Sequence, residues 1–319
     1  MMRPSLFSTH FEFPNQTSFY KGKVRDVYTI ADDYLVMIAS DRISAFDVVL
    51  PKPIPGKGQI LNQIASSFLN ETRHIVPNWL ISNPHPYVSV GKRFNAFKVE
   101  MVIRGYLAGH SARQYAEGRR ILCGAEMPNG MIENDRFDKP IITPSTKASE
   151  GHDMDITAEE IIYQKLMTES EWIQLCEITQ NLFEFGSHKA IQQGLLLVDT
   201  KYEFGKDADG NIFLLDEIHT PDSSRYFYAE GYEHRQKNKE PQKQLSKEFV
   251  RQWLIENNFM GKEGQTVPEM NDEWIETIRN RYIELFEKIT GEKFKPVQST
   301  TLEADILIAV NAELNRIII

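Results

Sequence analysis

Two apolar runs that end in charged residues constrain the fold of this chain most. GLLLVDTKYEFG at 194–205 and NIFLLDEI at 211–218 flank the turn-forming stretch DADG at 207–210. This arrangement predicts an antiparallel β-hairpin. Successive side chains on a strand point to opposite faces, so Asp199, Lys201 and Glu203 would share one face. Because these charges interrupt apolar runs, we interpret them as part of a binding site rather than as a solvent-exposed ladder of salt bridges.

The second strand of the hairpin adds carboxylates to the same region. With the turn centred on its middle two residues, antiparallel pairing brings Asp216 or Glu217 opposite the stretch from Lys201 to Glu203. Converging carboxylates beside a lysine suit a Mg²⁺ ion that is held against phosphates. The pairing leaves Asp216 and Glu217 as alternative metal ligands beside Glu203.

Length and charge narrow the class of protein. The chain has 319 residues, which suggests about two domains. Its 45 acidic and 36 basic side chains give a formal net charge of -9, which argues against a nucleic-acid partner. Cys123 and Cys176 have neither metal-ligand spacing nor the number expected of a disulfide framework. No stretch approaches the ~20 apolar residues that span a bilayer. We therefore expect a cytoplasmic protein without a membrane partner.

The remaining secondary structure is predicted from periodicity and turn signals. Strands are expected at 19–30, 34–39 and 95–103, and we place a domain boundary near residue 104. Helices are predicted after Gly58, from about Ser111, and from a capping box at Thr157 and Glu160 to about Gln193. The region beyond about 246 is expected to be mainly helical, with an apolar stripe that Gly291 ends: Trp274, Ile278, Tyr282 and Phe286.

Three further segments have the residue types of anion sites. Lys21-Gly22-Lys23 puts a glycine between two cations in a strand-turn region, where the backbone can approach a phosphate closely. In VIRGYLAGHSARQY, Arg104 ends a strand and Ser111 lies where a helix begins, so free backbone N–H groups would accompany both side chains. The segment TPDSSR at 220–225 supplies hydroxyls and a second arginine.

A further polar loop contains candidate site residues, and several common functional motifs are missing. Lys147, His152 and Asp153 fall in a single polar loop, which packing alone does not explain. The chain contains no P-loop, no zinc-protease motif, no nucleophile elbow and no dinucleotide-binding fingerprint. The residues by themselves thus indicate a Mg²⁺-nucleotide site with at least one further anionic substrate, and they do not identify that substrate.

Six segments, taken in order, resemble one family. They are YKGKVRDVY, SDRISAFDVVLP, IPGKGQILNQI, VIRGYLAGHSARQY, LLVDTKYEFG and DEIHTPDSSRY, which together span about residues 20–226. They resemble the phosphoribosylaminoimidazole-succinocarboxamide synthases, or SAICAR synthetases, of purine biosynthesis. The resemblance implies an ATP-dependent ligase that joins L-aspartate to carboxyaminoimidazole ribonucleotide. SAICAR, ADP and phosphate would be the products, and an acyl phosphate the intermediate.

The resemblance also implies an architecture. It is an α+β, two-lobed fold related to ATP-grasp enzymes. Residues 1–103 would form a small β-rich lobe that covers the nucleotide. Residues 104–319 would form a larger α/β lobe with the metal and ribonucleotide sites and a helical C-terminal region. A homo-oligomer is possible.

Site residues follow from the resemblance at matching positions. Lys201, Asp199 and Lys23 would be catalytic. ATP would contact Lys21, Gly22, Lys23, Lys147, Asp153 and Glu203. The ribonucleotide or L-aspartate would contact Arg104, Ser111, Lys201, Ser224, Arg225, Asp41 and Ser44. Mg²⁺ would be held by Glu203 with Asp216 or Glu217.

Two other functions are compatible with part of this pattern. A small-molecule or inositol-phosphate kinase resembles the same two-lobed fold and also carries an Asp-x-Lys motif, but it would transfer phosphate to a hydroxyl without needing aspartate. A non-catalytic nucleotide-binding protein would be expected to have lost its metal carboxylates, whereas Glu203, Asp216 and Glu217 are all present.

Overall fold

The fold is α+β. The computed structural model describes residues 4–147 and 154–318, and no helix in these ranges is long and apolar enough to cross a membrane. The strands are β1 (Gln16–Lys21), β2 (Arg25–Ile30), β3 (Tyr34–Ala39), β4 (Ser44–Ala45), β5 (Val48–Val49), β6 (Leu80–His85), β7 (Val88–Lys92), β8 (Asn95–Tyr106), β9 (Ile121–Leu122), β10 (Ala125–Glu126), β11 (Arg136–Ile142), β12 (Ser145–Thr146), β13 (Leu195–Lys206), β14 (Ile212–Leu215), β15 (Ser224–Tyr228) and β16 (Gln244–Leu245). The helices are α1 (Lys57–Glu71), α2 (His110–Ala116), α3 (Ala158–Tyr163), α4 (Glu169–Gln192), α5 (Tyr232–Lys237), α6 (Glu248–Glu256), α7 (Asp272–Thr290) and α8 (Leu302–Ile318).

The chain divides into two compact units. The first comprises Met1–Leu69, Trp79–Arg93 and Ser246–Ile319. It contains an antiparallel sheet in the order β1-β2-β3-β7-β6. Helix α8 covers this sheet, because Ile306 and Val310 are buried in one apolar cluster with Tyr28 and Val36.

The second unit comprises Asn70–Asn78 and Phe94–Leu245. Its main sheet has the order β11-β8-β13-β15-β16, with β12 also paired to β8 and β14 to β13. Strands β8 and β13 are both 12 residues long, and β13 lies between β8 and β15. Helix α4 packs against β13 and β8. The hairpin strand that carries the charged residues is therefore a central strand.

This division differs from the predicted lobes of 1–103 and 104–319. Residue 104 lies inside β8, which runs unbroken from Asn95 to Tyr106, so no boundary falls there. The helical C-terminal region belongs to the first unit, because the apolar face of α8 is buried on the N-terminal sheet. Contacts between the ends of the chain, rather than a local composition change, determine the units.

Most predicted elements are confirmed, with changes at their ends. The hairpin is formed by β13 and β14, and Gly194 before it has a φ of +71°. The segment 19–30, predicted as one strand, is two strands separated by a turn at 22–24. The predicted long helix is interrupted as well. The capping box at Thr157 starts only the short α3, and a second capping box, at Thr168 and Glu171, starts α4.

One close approach fixes how α4 packs. Gly186 lies in α4 opposite the buried His219 ring, and a Cβ at this glycine would come within 2.5 Å of His219 Nε2. His219 Nε2 donates a hydrogen bond to the Leu182 carbonyl at 3.2 Å. Burial lowers the pKa of His219 to about 3, so the ring is neutral at physiological pH.

We expect Gly186→Ala to lower the free energy of unfolding. Alanine is the better helix former by about 1 kcal/mol, but overpacking against a fixed ring costs about 1–3 kcal/mol, so Tm should fall. Thermal unfolding measures the change. Ser187→Ala is the matched control, because the Ser187 hydroxyl is buried and has no hydrogen-bond partner among the described residues. A Gly186→Ala variant with the Tm of the wild type would show that the helix moves at no cost.

Candidate active site

Strand β13 pairs with β8 on one side and with β15 on the other, and its charged residues have register partners on these strands. Asp199 is the register partner of Arg104 on β8 and of Arg225 on β15. Glu203 is the register partner of Glu100 on β8. The shared face predicted for Asp199, Lys201 and Glu203 thus lies against side chains from the neighbouring strands, which places two charged clusters along one strand.

The first cluster contains lysines and carboxylates. Lys201 Nζ lies 2.6 Å from Glu100 Oε1 and 3.9 Å from Glu203 Oε1, and Lys147 forms an ion pair with Glu203. Burial lowers the pKa of Lys201, but Glu100 and Glu203 outweigh it and raise that pKa. Burial also lowers the pKa of Lys147, which Glu203 and Asp216 raise more strongly. Both lysines are therefore cations.

Asp216 and Glu217 have different surroundings. The charge of Asp216 acts on both Lys147 and Lys201, which places this carboxylate at the cluster. Glu217 is buried, and its Oε2 accepts a hydrogen bond from Thr220 Oγ1 at 2.8 Å. Asp216 has a φ of +53°, a strained value for a residue with a side chain. The arrangement favours Asp216 over Glu217 as the partner of Glu203.

These carboxylates fit a magnesium ion that also binds phosphate. Mg²⁺ typically takes one or two protein carboxylates and completes its shell with water and phosphate oxygens. Within residues 4–147 and 154–318, no three or more His, Cys, Asp or Glu side chains are grouped so that they could hold a metal ion by themselves. Glu203 and Asp216 would supply two oxygens beside Lys147 and Lys201, whose charges suit the phosphates.

The second cluster is a pair of arginines bridged by one carboxylate. Asp199 Oδ2 accepts from Arg104 Nη1 at 3.3 Å and also from Arg225 Nη1. Arg104 Nε donates to Thr143 Oγ1 at 2.9 Å. Burial lowers the pKa of Arg104, and the positive charge of Arg225 adds to this effect, whereas Asp199 opposes it. Asp199 is thus a counter-ion shared by two guanidinium groups, which are also the side chains best suited to bind a phosphate.

Two predicted ligands of this cluster use their hydroxyls within the protein. Ser111 is fully buried, and its Oγ donates to the Ala108 carbonyl at 3.0 Å. Ser224 is also buried, and its Oγ donates to Thr200 Oγ1 at 2.8 Å.

The segment Lys21-Gly22-Lys23 forms a tight turn between β1 and β2 in the first unit. Gly22 N donates to the Arg25 carbonyl at 2.8 Å, and a Cβ at Gly22 would lie 2.8 Å from that same oxygen. Lys21 is exposed. Lys23 forms an ion pair with Asp47. A side chain at position 22 would disturb the turn, so the fold itself favours glycine here.

A residue that the sequence analysis did not select holds this turn. Arg42 is almost fully buried, and it donates from Nη2 to the Gly22 carbonyl at 3.0 Å and from Nε to the Lys23 carbonyl at 3.2 Å. Its Nη2 also pairs with Asp26 Oδ1 at 2.7 Å. A charged residue within the apolar-flanked SDRISAFDV motif was the available signal for it.

Asp41 and Ser44 occupy the interior of the first unit. Asp41 accepts backbone hydrogen bonds from Leu6 at 2.8 Å and Gly58 at 2.9 Å, so it fixes the start of α1. Burial raises its pKa to about 6, although the Gly58 and Leu6 amides lower it. Ser44 is buried in β4. Their predicted contact with substrate stays a prediction, as do the other ligand assignments.

Asp153 lies outside the described residues.

Two contacts of the second unit were missed by the sequence analysis. Glu100 is buried and pairs with Lys201; as a lone acid in the apolar strand NAFKVEMVI it could have been noticed. His110 Nε2 lies 2.8 Å from Asp155 Oδ2, and no local pattern joins these two residues.

Comparison with known proteins identifies the family. The family model for SAICAR synthetase matches residues 18–268, most of the chain. The chain belongs to the SAICAR synthetase family. The phosphoribosylaminoimidazole-succinocarboxamide synthase of Flavobacterium psychrophilum is 60% identical over 291 residues, covering 91% of this chain and 92% of the relative. The synthase of Cytophaga hutchinsonii is 61% identical over 303 residues, covering 95% and 97%.

A solved structure of the same family shares the fold. The SAICAR synthase of Saccharomyces cerevisiae, in complex with SAICAR, has a TM-score of 0.78 and 29% identity, covering 91% of this chain and all of the yeast chain. The expected family and fold are thus confirmed, and the chain is an enzyme with the ligase role of SAICAR synthetases in purine biosynthesis.

The Arg42 network predicts a stability change. Arg42→Lys should lower the free energy of unfolding by about 3 kcal/mol, because one ammonium cannot reach two carbonyls and Asp26 as the guanidinium does. Denaturant unfolding measures it. Arg93→Lys is the control: Arg93 is half-exposed and 3.9 Å from Asp32, so its replacement should change stability by less than about 0.5 kcal/mol. Equal stability of the two variants would contradict a supporting role for Arg42.

Proposed function

We propose that this enzyme condenses carboxyaminoimidazole ribonucleotide with L-aspartate in an ATP-dependent reaction that passes through an acyl phosphate. The observation that supports this most is the spacing of the two clusters on β13. Asp199 holds the arginine pair, and Lys201, two residues further on the same face, begins the cluster of lysines and carboxylates. A phosphate bound at the arginines would direct the other end of its molecule along the strand towards Lys201.

The reaction needs an activated carboxylate, because a carboxylate ion is a poor electrophile. In the first step a carboxylate oxygen of the ribonucleotide attacks the γ-phosphorus of ATP, and ADP leaves. In the second step the amine of L-aspartate attacks the carbonyl carbon of the acyl phosphate, inorganic phosphate leaves and the amine loses a proton. Lys201 would neutralise negative charge on the transferring phosphoryl group, and Asp199 would lie beside the reacting end.

The other roles are carried over from the family resemblance. Glu203 and Asp216 would hold Mg²⁺, with Glu217 as the alternative, and Lys147 and Asp153 would contact the nucleotide. The ion supplies charge neutralisation on the phosphates when bound.

In the first unit, Lys21, Gly22 and Lys23 would contact the ATP phosphates, and Asp41 and Ser44 a substrate. Arg104, Ser224 and Arg225 would bind the ribonucleotide. The cytoplasmic location and a homo-oligomeric state stay predictions.

An assay of ADP release tests this proposal. The purified enzyme is given ATP, Mg²⁺ and carboxyaminoimidazole ribonucleotide, with and without L-aspartate, and the imidazole products are separated by chromatography. We expect sustained ADP release and formation of SAICAR only when L-aspartate is present. ADP release that yields a phosphorylated hydroxyl and ignores L-aspartate would support the kinase alternative instead.

Glu203→Gln should lower kcat by about 100-fold or more at a fixed Mg²⁺ concentration. The amide keeps the shape of the side chain but removes one negative charge from the lysine cluster and one anionic metal ligand. A titration of rate against Mg²⁺ should also shift to higher concentrations. Glu117→Gln, which changes an exposed carboxylate just after α2, is the control. Turnover by Glu203→Gln at the wild-type rate would remove Glu203 from the metal role.

A further inference from the structure

The predicted phosphate ligand Ser111 is not available to a ligand. Its side chain is completely buried, and its hydroxyl proton is committed to the Ala108 carbonyl. A hydroxyl has a single proton to donate, so binding a phosphate would require breaking this internal hydrogen bond. The arginine cluster therefore lacks its expected third donor at position 111.

His110 lies between Ser111 and Gly109, a glycine that contacts Arg225. A Cβ on Gly109, the preceding residue, would lie 2.6 Å from Arg225 Nη2 and 2.8 Å from Arg225 Nη1, so the guanidinium rests against the backbone at this point. The His110 side chain is partly exposed, at 37%. A bound anion on Arg225 would thus lie close to a side chain that solvent can reach.

Asp155 links His110 to the other arginine. Its Oδ2 lies 2.8 Å from His110 Nε2, and its charge raises the pKa of Arg104, although burial and Arg225 lower that pKa more strongly. His110 thus follows the glycine that Arg225 contacts, and its partner Asp155 acts electrostatically on Arg104.

A phosphate monoester bound at this cluster would be neutralised better with one more positive charge. Arg104 and Arg225 carry two positive charges, and Asp199 and Asp155 carry two negative ones. A phosphate monoester brings about -1.5 to -2 at neutral pH. An imidazolium between Asp155 and the phosphate would have both ring nitrogens as donors and would add the missing positive charge.

Stability gives little reason for the His110 and Asp155 pair. Both side chains are more than a third exposed, and exposed pairs contribute about 0–1 kcal/mol. The pair is partly exposed, and Asp155 is close enough to Arg104 to influence its pKa.

We propose that His110, oriented by Asp155, is a ligand of the 5′-phosphate of the ribonucleotide and takes the role expected of Ser111. Asp155 accepts from Nε2, and the Nδ1 proton is donated to a phosphate oxygen while Arg104 and Arg225 bind the others. His110 is a binding residue, and Asp155 is a positioning residue. The inference rests on the proposed function, because it takes the arginine cluster as the phosphate site.

Steady-state kinetics of His110→Ala tests the inference. Loss of a charge-assisted hydrogen bond should raise the KM for carboxyaminoimidazole ribonucleotide about 10-fold or more. The kcat and the KM values for ATP and L-aspartate should stay within about 2-fold of the wild type. Asp155→Asn should raise the same KM by a smaller factor, because the imidazole remains. Ser111→Ala should leave it within about 2-fold, and Arg225→Lys should raise it and serves as the positive control.

A binding measurement isolates the phosphate. Isothermal titration with 5-aminoimidazole-4-carboxamide ribonucleotide and with its ribonucleoside, which lacks the phosphate, gives two affinities for each variant. His110→Ala should weaken binding of the ribonucleotide and leave that of the ribonucleoside unchanged. A general disturbance of the site would weaken both.

The outcomes separate this inference from the function on which it rests. If the wild type neither binds the ribonucleotide nor forms SAICAR, the proposed function fails. If the wild type does both, and His110→Ala has the wild-type ribonucleotide KM while Ser111→Ala raises it, the function stands and the assignment of His110 is overturned.

Discussion

The pairing of charges along β13 is the constraint on which the second unit depends. A central strand is largely removed from water, so its ionisable side chains must find partners of opposite charge or hydrogen-bond donors. Asp199 has two arginines, Lys201 has Glu100 and Glu203, and Glu203 also has Lys147. Removing any one of these groups would leave a poorly solvated charge. The strands that flank β13 are thus selected for side chains that complete these pairs as well as for sheet formation.

Such pairing also makes the site ready for ligands. Buried ion pairs are a weak source of stability, because desolvation cancels much of their attraction. Here they keep charges at fixed positions, and a fixed charge costs no reorganisation when phosphate arrives. Asp199 shows the principle: in the absence of a ligand it is the shared counter-ion of Arg104 and Arg225. A phosphate would join an existing arrangement rather than assemble a new one.

What could be predicted from the sequence was local. The hairpin could be predicted because its apolar runs, its turn and its charges all fall within 25 residues. A two-residue period determines which of its side chains share a face. The domain boundary could not be predicted in this way, because α8 packs on the N-terminal sheet, which is almost 300 residues away in sequence. An amphipathic pattern shows that a helix has a buried face and does not show which surface covers it.

Within the site, the surroundings of single side chains depend on shifts of one residue. A helix start predicted near Ser111 lies at His110, and the Ser111 side chain is buried whereas that of His110 is partly exposed. Helix ends are commonly uncertain by one or two residues from sequence alone, whereas a full turn has only 3.6. The choice between Asp216 and Glu217 depends in the same way on one backbone torsion, the positive φ at Asp216. Site chemistry is therefore more sensitive than fold to the placement of single residues, because a one-residue shift leaves a helix intact but exchanges the group that a substrate meets.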